Sequence, residues 1–117
     1  MSEVQSREWR FYLDDIITFA EKVLSYSQDM LQDEFIADSL KYDATLRNLE
    51  LMGEAATHIP EHIRSTYPQI PWRQIIATRN RLIHGYLGID NDTLWSIIKQ
   101  DVPTLLPKLR QVKEQGA

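Results

Sequence analysis

The chain has 117 residues, no cysteine, and 13 basic against 17 acidic side chains, for a formal net charge of −4. That length suits one domain with a core that needs no cross-links, and the lack of cysteine excludes a disulfide scaffold, a thiolate zinc site and a thiol nucleophile. The acidic balance excludes sequence-blind coating of nucleic acid, which runs on basic charge, while 43% apolar and 26% charged residues mark a globule rather than a disordered chain.

The first residues, MSEVQSREWRFY, hold no apolar signal core. No apolar run approaches the roughly 20 residues that cross a bilayer, so a soluble, cytoplasmic protein without a membrane partner is expected. The periodicity is helical throughout. From Arg7 to about Met30, Trp9, Tyr12, Leu13, Ile16, Ala20, Val23, Leu24 and Ser27 recur at three- and four-residue steps, which predicts one long amphipathic helix. Gln32 to Ile36 reads as a connecting turn, and Asp38 or Ser39 can cap the helix that follows. That helix should carry Leu40, Ala44, Leu51, Ala55 and Ile59 on one side, with Leu49, Met52 and Ala56 beside them.

Pro60 should end it near Thr57 or His58, because the residue before proline disfavours the α region. A turn of helix from Glu61 to Ser65 follows, then a connector from Tyr67 to Pro71. Pro71 suits the first helical position of an element running from about Trp72 to His84, with Gly85 and Gly88 as its stop signals. Asp90 or Asn91 caps a last helix to about Lys113, which Pro103 kinks or restarts after Val102. No two-residue strand period is visible, so the expectation is a single all-α domain over residues 1–117: an antiparallel bundle of about four to five helices.

The chemistry concentrates in one place. Between Glu61 and Asp90 lie 28 residues with no acid, containing Arg64, Arg73, Arg79 and Arg81 together with His62 and His84. This stretch is +4 with neutral histidines, and the remainder of the chain is −8. On a helical wheel of about 100° per residue, Trp72, Ile75, Ile76, Leu82, Ile83 and Tyr86 all fall within about 60° of Arg79. Arg79 is therefore centred on the apolar face, where an unpaired charge is costly. It either pairs with a carboxylate such as Glu54 or lines a pocket that accepts an anion, for which the planar guanidinium fork is suited.

Asn80 and His84 are four apart and neighbour each other on the flank of that helix. Arg79 and His84 are five apart, about 140° around the wheel, and do not converge in a regular helix. Either the helix frays at Gly85, or a second copy of the chain completes the site in a symmetric dimer. Arginine beside histidine has a use next to RNA. Imidazole moves protons near neutral pH, so it can activate a ribose 2′-hydroxyl, and a guanidinium stabilises the charge that builds on the attacked phosphate. That route needs no metal and no cofactor.

Arg79-Asn80-Arg81-Leu82-Ile83-His84-Gly85-Tyr86 resembles the Arg-x4-His-x-Tyr signature of the HepT-like toxins in the HEPN superfamily. Leu46 to Glu50, Gly53 to Ala56, Ile70 to Arg73, Leu87 to Asp90, Trp95 and Asp101 to Pro103 extend the likeness over most of the chain, from about Phe11 to Leu109. The resemblance implies a dimeric helical bundle with its active cleft between protomers, and a metal-independent endoribonuclease toxin with Arg79, His84 and Asn80 as catalytic residues. It also implies an MntA-type nucleotidyltransferase antitoxin that transfers AMP to the motif tyrosine, Tyr86. RNA, with tRNA a reasonable guess, is the implied substrate, and no DNA partner is expected. An AMP group on Tyr86 would add charge and bulk beside Arg79. The competing reading is a non-catalytic helical module that binds nucleotide or RNA and docks a nucleotidyltransferase.

Other residues have plainer expectations. Arg73 and Arg81 are candidates for RNA contacts, and Glu54 is a candidate carboxylate for orienting Arg79 or Arg81. His58 and His62 share a metal-like spacing, but Pro60 lies between them and no cysteine or aspartate completes a set, so no metal site is expected. Trp9, Trp72 and Trp95 read as core or dimer anchors rather than base-stacking platforms.

Overall fold

The computed structural model describes residues 2–84 and 89–116, and the side chains from residue 8 onward. Among these residues there is no strand. Helix α1 (Ser2–Ser27), α2 (Gln32–Ala37), α3 (Ser39–Thr57), α4 (Glu61–Thr66) and α5 (Trp72–Ile83) lead to a broken rod made of α6 (Asn91–Ser96), a π-helical turn (Ile97–Asp101) and α7 (Val102–Gln115). Four of these rods are long and α2 and α4 are single turns, so the helical-bundle expectation holds with six rods rather than four or five.

Helix α1 is at the centre. It buries Trp9, Leu13, Ile16, Ile17, Ala20 and Val23 along one stripe, and packs on α3 to one side and α7 to the other. It ends at Ser27, earlier than the expected Met30, where Asp29 takes a left-handed backbone with φ 60°. The expected turn after it is instead helix α2. The Glu34 side chain accepts from the Leu31 N–H at 2.8 Å, and Phe35 is buried against Tyr42 and Trp95.

Asp38 caps α3, its side chain accepting from the Lys41 N–H at 3.1 Å. The inward face of α3 holds Thr45, Asn48, Leu49, Met52, Ala55 and Ala56. Leu40, expected in that core, is 83% exposed. It lies about 180° from Leu49 on the wheel, so a face drawn through Leu40 and Leu51 misses the true one. Helix α3 stops at Thr57 with His58 as its cap, as Pro60 requires. Arg64 from α4 then closes the end of α3, donating to the carbonyls of Ile59, Ala56 and Thr57 at 3.0, 3.1 and 3.2 Å.

Pro71 is the N-cap of α5 rather than its first helical residue, and the Trp72 indole N–H donates to the Tyr67 carbonyl at 3.1 Å. Helix α5 packs chiefly on α3, which makes it the outer member of a curled row running α7, α1, α3, α5. Its far side is separated from the π turn and α7 by an apolar groove lined by Leu49, Met52, Ile75, Ile97, Val102 and Leu105. Asp90 caps α6, accepting from the Thr93 N–H at 2.9 Å. The expected break at Pro103 is the π turn. Proline has no N–H to donate, and the preceding Val102 N–H reaches back five residues to the Ile97 carbonyl. No described helix is long and apolar enough to cross a membrane.

Candidate active site

The site begins with a glycine. A Cβ on Gly53 would sit 2.1 Å from Arg79 Cβ, 2.8 Å from Arg79 Cγ and 3.0 Å from the Ile75 carbonyl oxygen. Only a residue without a side chain lets α5 cross α3 at this point, and the space it leaves is filled by the stem of Arg79. The next residue on α3, Glu54, then meets the guanidinium head.

Arg79 Nη2 donates to Glu54 Oε2 at 2.6 Å, and Nη1 donates to Asn80 Oδ1 at 2.8 Å. Arg79 Nε is buried with no acceptor among the described residues. Of the two carboxylate pairings expected for Glu54, the structure shows the one with Arg79 and not with Arg81. The pair is partly open to solvent, with side-chain exposures of 27% for Arg79 and 49% for Glu54. A pair this exposed adds little stability, so its main effect is on where the fork points. It also leaves the guanidinium balanced by a carboxylate before any anion arrives.

His84 ends the helix. It is the C-cap of α5, with ψ 56°, held by its own N–H to the Asn80 carbonyl at 3.3 Å, and it is exposed. The helix ends one residue earlier than expected, but the retained N–H bond to Asn80 and a φ of −88° leave the His84 side chain near its helical position, and ψ 56° turns only the chain that follows. Asn80 is exposed beside it. Arg73 and Arg81 are exposed and pair with no carboxylate among the described residues. Arg64 belongs to the acid-free stretch by sequence, but it is taken up by the end of α3. Tyr86, the expected acceptor of a modifying group, lies outside the described residues, as do Gly85 and Gly88.

The apolar face of α5 is covered unevenly. Trp72 and Ile75 at its start are buried, Ile76 and Leu82 are half-buried, and Ile83, beside His84, is 52% exposed. Trp9 and Trp72 are core residues as expected, and Trp95 is half-buried with Lys99 over its ring. One pair of contacts is not anticipated by the motif. His58 Nε2 lies 3.6 Å from Glu54 Oε1, and the His58 ring stacks on Tyr12 with centroids 4.6 Å apart and planes at 14°. The four-residue step from Glu54 to His58 is a sequence signal for it, obscured by the competing His58–His62 spacing. His62 is exposed, and no group of three or more potential metal ligands occurs among the described residues.

The "Ribonuclease HepT-like" family matches residues 16–112. A Thermococcus cleftensis protein named "Probable ribonuclease HepT" is 33% identical over 108 residues, covering 92% of this chain and 98% of that protein. A Methanocaldococcus jannaschii protein named "Putative RNase MJ1380" is 37% identical over 102 residues, covering 87% and 94%. No solved structure matches the chain. With Arg79 and Asn80 on α5, His84 at its cap, and a family match running through five-sixths of its length, the chain belongs to the HepT-like ribonuclease family.

Proposed function

We propose that the protein is a metal-independent endoribonuclease toxin in which Arg79 and His84, with Asn80 beside them, cleave RNA by attack of a ribose 2′-hydroxyl on the adjacent phosphate. The observation that carries this reading is the state of Arg79. Of its five N–H donors, one is spent on Glu54, one on Asn80, and the Nε–H is buried. One N–H remains on each terminal nitrogen, and a guanidinium with free donors suits a phosphate.

In the reaction the 2′-oxygen bonds to phosphorus as its proton passes to an imidazole nitrogen of His84. The bond from phosphorus to the 5′-oxygen breaks, that oxygen takes up a proton, and a cyclic 2′,3′-phosphate is left. Arg79 stabilises the charge on the phosphate oxygens through the transition state. Arg73 and Arg81 contact flanking phosphates. A homodimer supports this chemistry, because a second copy brings another His84 to supply the proton to the leaving oxygen. The exposed Ile83 next to His84 supplies part of the apolar surface for it. The toxin is neutralised by an MntA-type nucleotidyltransferase that attaches AMP to Tyr86.

His84→Ala should abolish cleavage of RNA while leaving the helical circular-dichroism spectrum intact, and wild-type cleavage should persist in EDTA. Full-rate cleavage by the variant, or a requirement for Mg²⁺, would overturn the mechanism. After co-expression with a nucleotidyltransferase partner, the intact mass should rise by AMP units in the wild type and not in Tyr86→Phe; an unchanged wild-type mass removes Tyr86 as acceptor.

A further inference from the structure

We propose that His58 and Tyr12 are positioning residues for Arg79, acting through Glu54; this rests on the ribonuclease reading of Arg79 given above. Among the described residues, Glu54 is the one side chain from another element that hydrogen-bonds the Arg79 head, since Asn80 is its neighbour in sequence. The direction of the guanidinium plane therefore follows the direction of the Glu54 carboxylate.

Glu54 has two carboxylate oxygens and a different partner for each. Oε2 accepts from Arg79 on α5, and Oε1 faces His58 Nε2 at the end of α3. A glutamate about half exposed has three rotatable bonds and many rotamers. A hydrogen bond on one oxygen and a close polar neighbour at 3.6 Å from the other narrow that choice. His58 is itself a helix cap with 48% side-chain exposure, and its ring would be free to turn without the Tyr12 ring stacked flat against it. Tyr12 is on α1, half-buried against the core. The central helix of the bundle thus sets a ring, the ring faces one oxygen of a carboxylate, and the other oxygen aims the arginine. When His58 is protonated its Nε2–H is a cationic donor toward Oε1, and the facing groups are then Tyr12, Glu54 and, across the carboxylate, Arg79.

The test measures kcat and KM for a short RNA with the full chain. His58→Ala should lower kcat by about tenfold, the scale of a modest misalignment of a reacting group, with KM and thermal melting little changed. His58→Gln, which restores an N–H donor toward Glu54, should recover most of the loss. Tyr12→Phe, which keeps the stacked ring, should match the wild type, and Tyr12→Leu should resemble His58→Ala. In an Arg79→Lys background, His58→Ala should have no further effect, because the fork it aims is already gone. Wild-type kcat in His58→Ala, or an equal fractional loss in both backgrounds, would overturn the proposal. A second readout needs no RNA: the buried Arg79 Nε–H gives an NMR cross-peak that should shift or broaden in His58→Ala. If it does not move, the proposal fails. If it moves while the wild type cleaves no RNA, the ribonuclease reading fails and the positioning of Arg79 stands.

Discussion

At the scale of single residues, the site depends on one missing methyl group. Alanine at position 53 would improve helix propensity by about 1 kcal/mol. Its Cβ would also lie 2.1 Å from Arg79 Cβ, an atom fixed to the α5 backbone, so the helices must part. Overpacking of this kind costs about 1–3 kcal/mol, and the clash wins. Gly53→Ala should lower the urea midpoint and reduce RNA cleavage by more than the loss of folded protein explains, since Arg79 moves with α5. Cleavage that falls only in step with stability would show that the Arg79 placement tolerates the shift. How much of this was legible in sequence depends on the residue. Arg79 is readable because a charge centred on an apolar face demands a partner, and Glu54 is a carboxylate that the sequence offers for it. His58 and Tyr12 are not, because they meet across two helices 46 residues apart in sequence, and no local spacing reports a ring stack between them.

At the scale of elements, the caps were the legible features and the faces less so. Asp38, Pro60 and Asp90 each end or begin a helix where local chemistry demands, whereas α2 exists because Phe35 is pinned between Tyr42 and Trp95, contacts that only the tertiary fold supplies. The Asp90 cap opens α6 directly after the motif segment. The Asp90 carboxyl is held below its ordinary 3.8, first by the Thr93 backbone N–H and then by the Thr93 hydroxyl. A carboxylate depressed in the folded state contributes stability that is complete above its unfolded value and fades as pH falls through the folded one. Asp90→Ala should therefore melt below the wild type at pH 7, and the gap should narrow as the pH is taken below 3.8. A gap that stays constant in acid would mean that the carboxylate charge contributes nothing to the cap.

At the scale of the whole molecule, the net charge of −4 conceals a stretch of +4, and the structure divides that stretch again. Arg64 is spent on helix carbonyls and Arg79 on Glu54. Within that stretch only Arg73 and Arg81 stand exposed without a carboxylate partner among the described residues. An acidic body with two free arginines and one shared one can neutralise about two or three phosphates per chain. Each phosphate contact on a single strand contributes about −0.7 to the slope of log K against log salt. Binding of a single-stranded RNA should accordingly show a slope of about −1.5 to −2 per chain, and about twice that if one RNA spans a dimer. Arg73→Gln and Arg81→Gln should each flatten the slope by about 0.7. The measurement is a filter-binding or anisotropy titration across salt, made with His84→Ala so that the RNA survives. A slope near −7, reporting about ten phosphate contacts, would mean that RNA tracks a basic surface beyond the described site. A shallow slope instead leaves recognition to the few groups around Arg79, where the acidic remainder repels any RNA not seated in the cleft.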